Sequence, residues 1–189
     1  QNEGGRNYYP IARQSWYPNA GTELGDYSTY QMTFHVPKGL ELIATGTKTS
    51  DKTDGKVTTT EWKTDVPLPV VGFNLGEFKE KDGGLKWKSG ETLVINAYAN
   101  PTPPDELSKL NSGPGAPEMG GTAPPLGGFY PPKMLPLELS QAQAAAQIYS
   151  QYYGALPFNR IAITQQFACN YGQSWPMLVY LPLCGFFDE

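Results

Sequence analysis

Strict alternation of apolar and polar residues over Tyr30–Val36 (YQMTFHV) constrains this chain more than any other feature. A side-chain period of two belongs to a half-buried strand. Tyr30, Met32, Phe34 and Val36 face a core, while Gln31, Thr33 and His35 face out. Pro37–Lys38–Gly39 breaks the run, and Leu40–Thr47 predicts a second strand. Asp51 to Gly55 reads as a polar turn of the Asp-Gly hairpin type. Val57–Lys63, rich in β-branched residues, returns as a strand. Pro67 and Pro69 bracket the next crossing, Val70–Phe78, which is apolar enough to be covered on both faces. Lys81–Asp82–Gly83–Gly84 predicts a turn. Leu93–Ala99 predicts a further strand, with Leu93, Ile95, Ala97 and Ala99 on one face.

The composition then changes. Asn100 to Pro136 is rich in proline and glycine, which excludes a long helix or a central strand there. Phe129, Tyr130, Met134 and Leu135 are apolar anchors near its end, so a partly ordered loop is expected. Leu137–Tyr153 is the strong helix signal, with Ala144–Ala146 inside it and Gly154 at its end. Ala145, Ile148, Tyr149, Tyr152 and Tyr153 have the spacing of a buried stripe. Arg160–Phe167 and Leu178–Leu181 predict two more strands. The expected fold class is α+β, mainly β. The expected division is 1–100 as an antiparallel β-sheet or sandwich part, 101–136 as loop or linker, and 137–189 as a second unit with one main helix plus strands.

With 39% hydrophobic residues among 189, the chain can bury a core. A net charge of −4 with scattered lysines argues against nucleic acid as partner. No apolar run reaches the roughly 18 residues of a membrane span. The chain starts at Gln1 without a charged-then-apolar leader and ends at Asp188–Glu189, which reads as an excised fragment. Cys169 and Cys184 match no zinc-finger spacing. Two small buried thiols are the preferred reading, with a disulfide as the alternative. His35 has no Cys or Glu at ligand spacing and reads as a surface imidazole. No GxSxG exists, so no serine-hydrolase elbow is present. No pair of the 18 acidic residues stands out as a glycosidase dyad.

The order of the motifs carries more than any one of them. Ala12–Arg13–Gln14–Ser15–Trp16–Tyr17–Pro18 resembles the "AR-x-x-F/W-x-P" corner of M1-family zinc aminopeptidases. Val36–Pro37–Lys38–Gly39 and Ala44–Thr45–Gly46 fill the family's "VPKG" and "A-x-G" places. Thr60–Glu61–Trp62–Lys63, Val66–Pro67–Leu68–Pro69 and Gly72–Phe73–Asn74–Leu75–Gly76–Glu77–Phe78 are similar to its strand, bend and closing "A-F-x-x-G-D/E-F". Tyr152–Tyr153–Gly154–Ala155–Leu156–Pro157–Phe158–Asn159–Arg160 resembles the start of its thermolysin-like catalytic domain. Gln165 to Leu178 occupies the place of the exopeptidase motif G-A-M-E-N-W-G-L-I. Matching Trp175 to the motif's Trp puts Gln173 where its Glu stands and Ser174 where its Asn stands. Asn170, Tyr171 and Gly172 replace Gly-Ala-Met.

The resemblance implies that 1–100 is the end of an N-terminal β domain and 137–189 the β-rich start of a thermolysin-like domain. It implies a divergent, M1-like zinc metallopeptidase as the parent protein. No HExxH lies in this chain, so no cofactor is expected within it, and zinc is expected in the parent. This piece alone is expected to be inactive. It would supply part of a peptide cleft through Tyr171, Gly172, Gln173 and Ser174. Asn7 and Tyr9 would stand nearest the family's upstream Gln and Glu, with a one-residue difference in spacing. The motif's Glu grips a free α-amine as an ion pair, whereas Gln173 offers only a dipole, so preference for a charged N-terminus should be reduced. A scavenging peptidase of this kind suits a periplasmic or extracellular parent. Oligomeric state is left open. The rival reading is a non-catalytic β-rich module that binds protein or carbohydrate.

Overall fold

The chain is known from a computed structural model, which describes residues 2–3, 7–11, 15–18, 26–87, 90–102, 130–167 and 171–186. Among the described residues, twelve strands and one long helix form an α+β fold that is mainly β. Strands β1 (Asn2–Glu3), β2 (Asn7–Tyr8), β4 (Glu41–Ala44) and β7 (Phe73–Gly76) make a four-stranded antiparallel sheet in the order β1-β2-β7-β4. Strands β3 (Gln31–Pro37), β5 (Thr47–Asp54) and β6 (Val57–Lys63) make a three-stranded antiparallel sheet in the order β3-β6-β5. Strands β8 (Lys79–Lys86), β9 (Thr92–Ala99), β10 (Arg160–Gln166), β11 (Gln173–Trp175) and β12 (Leu178–Pro182) form a five-stranded mixed sheet in the order β11-β12-β10-β9-β8. Its β12–β10 and β10–β9 pairs are parallel, and its outer pairs are antiparallel.

The alternation in β3 places Met32 and Val36 in the core and His35 on the exposed face, where Nδ1 lies 2.9 Å from Thr59 Oγ1. The region 40–47 is not one strand. Gly46, at φ +97°, breaks it, so β4 joins one sheet and β5 the other. A side chain at Gly46 would lie 2.4 Å from the Lys63 carbonyl oxygen, so only glycine fits the corner. Asp51–Asp54 belongs to β5. The turn is the two residues Gly55–Lys56, because Asp54 already pairs with Val57. Gly55, at φ +57°, supplies the left-handed conformation that this turn requires. The expected strand 70–78 shortens to β7.

The expected turn at Lys81–Gly84 is instead the middle of β8, where Gly83 pairs with Ile95 and Gly84 with Val94. The glycines there make room rather than turn the chain. A Cβ on Gly83 would stand 2.6 Å from Leu139 of the helix packed over it. That helix, α1 (Leu135–Tyr153), follows a 3-10 turn at Pro131–Met134 and ends at Gly154, whose N–H bonds the Ser150 carbonyl at 3.1 Å.

The stripe that α1 buries differs from the expected one. Leu135, Leu139 and Ala146 are buried, and Ala142 packs beside them against Leu93, Ile95, Ala97 and Ala99 of β9. Ile148, Tyr149, Tyr152 and Tyr153 are exposed, Tyr153 at 84%. The small alanines let the helix approach the sheet, whereas tyrosines on that face would hold it off. Leu93 and Ile95 lose all contact with solvent, worth about 1.5–3 kcal/mol each. A second core cluster runs from Tyr9, Met32 and Trp62 through Val71 to Ala162, Trp175 and Tyr180, fusing the first two sheets to the other face of the five-stranded sheet. The Pro/Gly-rich stretch lies outside the described residues from 103 to 129, including Phe129.

Candidate functional site

Strand β11 lies at the edge of the five-stranded sheet, with Gln173 opposite Tyr180, Ser174 opposite Val179 and Trp175 opposite Leu178. Tyr171, Gly172 and Ser174 are exposed, Gln173 is half-buried and Trp175 is buried. Of the five residues expected at a site, the fold therefore brings four onto one continuous edge. Trp175 turns inward and lies flat on Gly72, where a Cβ would come within 2.7 Å of its ring. Gly72 in turn exchanges hydrogen bonds with Thr45: its N–H donates to Thr45 Oγ1 at 3.1 Å, and its carbonyl accepts from Thr45 N at 3.0 Å.

Asn7 sits elsewhere. It has no exposed surface. Its Nδ2 donates to the Gln165 carbonyl at 2.8 Å and faces Asn74 Oδ1 at 3.4 Å. Asn74 Nδ2 donates to the same carbonyl at 2.9 Å and to Thr164 Oγ1 at 3.1 Å. Gln165 Oε1 accepts from the Asn100 N–H at 3.1 Å, and Asn100 Nδ2 donates to the Glu77 carbonyl at 2.7 Å. Gln166 Nε2 donates to the Tyr171 carbonyl. Asn7 is thus joined to the site through the backbone of β10 rather than by facing a ligand.

Sequence reasoning missed Asn74, Asn100, Gln165 and Gln166 as a unit. The available signal was the apolar run Ile161–Ile163 continuing through Thr164 into Gln165–Gln166 on one strand, because buried amides must find partners. The cluster is uncharged throughout. Burial pushes the neighbouring Tyr180 hydroxyl well above its usual range, and it donates to the Phe73 carbonyl at 2.5 Å. Such an arrangement can hold backbone amides and carbonyls in place, and it carries no ionised group for proton transfer.

A cavity of about 520 Å³ lies away from this edge, lined by Leu42, Thr60 and Phe78 with Glu41, Asp51 and Lys79. Burial raises the Glu41 carboxyl above its usual range, and Lys48 partly offsets this. Among the described residues no group of three or more His, Cys, Asp or Glu could hold a metal ion, so no step through zinc follows from them. Among the described residues no helix is long and apolar enough to cross a membrane. Cys184 is disulfide-bonded, which corrects the expectation of two thiols. The other cysteine of the sequence, Cys169, lies outside the described residues, as do Ala12–Gln14 and Asn170.

No protein-family model and no curated protein sequence matches the chain. Solved structures do. An M1 zinc metallopeptidase mutant from Deinococcus radiodurans bound to a Tyr-Ser-Ala substrate superposes with a TM-score of 0.59 at 14% identity, covering 84% of this chain and 31% of that one. A two-domain M1 zinc metallopeptidase mutant bound to L-arginine gives 0.59 at 14%, covering 83% and 30%. Legionella pneumophila aminopeptidase A in complex with aspartic acid gives 0.57 at 15%, covering 86% and 17%. The chain has the fold of part of an M1 zinc metallopeptidase, and it spans less than a third of the length of these structures.

Proposed function

We propose that the chain forms part of the peptide cleft of a divergent M1-like zinc metallopeptidase, with β11 as the edge that receives substrate. The observation that carries this reading is the position of Gln173–Trp175 at the sheet edge, flanked by exposed Tyr171 and Gly172. An extended peptide can add to such an edge through main-chain hydrogen bonds. In this reading zinc belongs to the parent protein and is held by residues other than those described.

Gln173, where the resembling motif has Glu, sets the substrate class. A carboxylate there would hold a cationic amine through a charge-assisted bond, and a carboxamide gives up most of that preference. Peptides with neutral or blocked ends should therefore be tolerated. The Cys184 disulfide supports a periplasmic or extracellular parent, because structural disulfides persist in oxidising compartments.

Paired assays on the full-length protein test this. Free-amine and N-acetylated versions of one peptide should be cleaved with kcat/KM values within about tenfold, and Gln173→Glu should widen the gap in favour of the free amine. Efficient cleavage of free-amine peptides that acetylation abolishes would refute the neutral-end reading.

A further inference from the structure

We propose that Gln166 is a positioning residue for the β11 edge, and that Asn7 and Asn74 extend its hold into the first sheet. This rests on the reading of β11 as a peptide-receiving edge. Gln166 has no exposed surface, so it cannot touch a substrate on that edge. Its Nε2 donates to the carbonyl of Tyr171, two positions before β11 begins. Its Oε1 is buried without a hydrogen-bond partner, so this single bond orients the carboxamide.

Gly172 shows how narrow the remaining freedom is. A Cβ there would lie 3.1 Å from the Tyr180 carbonyl oxygen on β12. The backbone just before Gln173 is thus bounded by β12 on one side and tied through Tyr171 to Gln166. One residue earlier on β10, the Gln165 carbonyl accepts from both Asn7 and Asn74, which belong to β2 and β7 of the first sheet. The first sheet holds the end of β10, and the end of β10 holds the backbone that leads into Gln173. A carboxamide suits this place: it donates to a carbonyl without carrying charge into a buried position. The first sheet therefore sets the alignment of the peptide-receiving edge from behind, without contacting the peptide.

The test compares the wild-type 189-residue chain with Gln166→Met, which fills the volume and donates nothing, and Gln166→Asn, which withdraws the donor by one methylene. Backbone amide exchange is followed by NMR. Losing one buried hydrogen bond should speed exchange at Gly172–Trp175 roughly tenfold, while Leu93–Ala99 of β9 stays within about twofold. A tripeptide that shifts the wild-type Gly172–Ser174 amides should bind the variants about tenfold more weakly. Equal acceleration over β9 and β11, no change at Gly172–Trp175, or failure of both variants to fold would each overturn the proposal, because Gln166 would then be an ordinary core residue or an idle one. The two readings fail separately. No peptide shift in the wild type sinks β11 as a receiving edge, whereas wild-type binding that the variants retain in full sinks the role of Gln166.

Discussion

Arg160 lies over the indole of Trp62, with Cζ 5.2 Å from the ring centroid, and its Nη1 donates to the Gly46 carbonyl at 2.9 Å. Arg160 begins β10 and Trp62 lies on β6, so this contact joins the three-stranded sheet to the five-stranded one. A planar guanidinium can stack and donate at once, and an ammonium cannot do both as well. Arg160→Lys should cost about 1 kcal/mol and Arg160→Ala roughly 2–3 kcal/mol. Urea denaturation checks this, with an unchanged midpoint for Arg160→Ala as the contrary result.

Gly72 and Trp175 make the corresponding contact behind the site. Gly72→Ala inserts a methyl into the indole face and should destabilise by about 1–3 kcal/mol through overpacking. It should also shift the amide resonances of Gln173–Trp175. Gly185 faces open space at an ordinary φ, so Gly185→Ala is the control and should stay within about 0.5 kcal/mol. Similar losses in both variants would contradict the packing described here.

Glu138 is buried in the first turn of α1, and burial raises its carboxyl above the usual range. A group that binds its proton more tightly when folded favours folding at low pH. Its contribution is therefore present below the unfolded carboxylate range, and it is lost as pH rises through the raised folded value. Glu41, also raised by burial, acts in the same direction. Glu138→Gln should raise Tm at pH 7 by roughly a few degrees and flatten the fall in stability between acidic and neutral pH. Melting curves at pH 4 to 8 read both effects, and a lower Tm for the variant at pH 7 would count against a desolvated carboxylate.

The Cys184 disulfide predicts that native and denatured protein alike take up no alkylating label without reductant. With reductant, both cysteines of the sequence should react. Intact mass distinguishes these states, and a labelled thiol in the unreduced protein would contradict the disulfide.

Much of the β architecture was legible locally. Val57–Lys63 was expected with the bounds that β6 shows, and the four residues of β9 expected on one face do face α1. Local pattern failed where glycine had two possible uses. Gly83–Gly84 looked like a turn because glycine permits turns, but here its missing side chain admits Leu139. It failed again on α1, where two apolar stripes compete and only the distance to the sheet selects the alanine stripe over the tyrosine stripe. At the candidate site, motif order pointed to Tyr171, Gly172, Gln173 and Ser174, and the fold places these four along one sheet edge. The buried amides behind them were not legible as a unit: Asn7 was expected near a ligand, and its burial against Gln165 beside Asn74 joins residues as far as 158 apart in sequence.

The sequence by itself determined the mainly β character, the one long helix, the breaks at Pro37–Gly39 and Gly154, and the neutral residue at position 173. These follow from side-chain period, backbone freedom and charge, which are properties of neighbouring residues. Only the tertiary structure decided that β8 and β9 share a sheet with β10, β11 and β12, and that Asn7 is buried against β10. Parallel pairing and buried hydrogen bonding join residues far apart in the chain, and no local pattern names the partner.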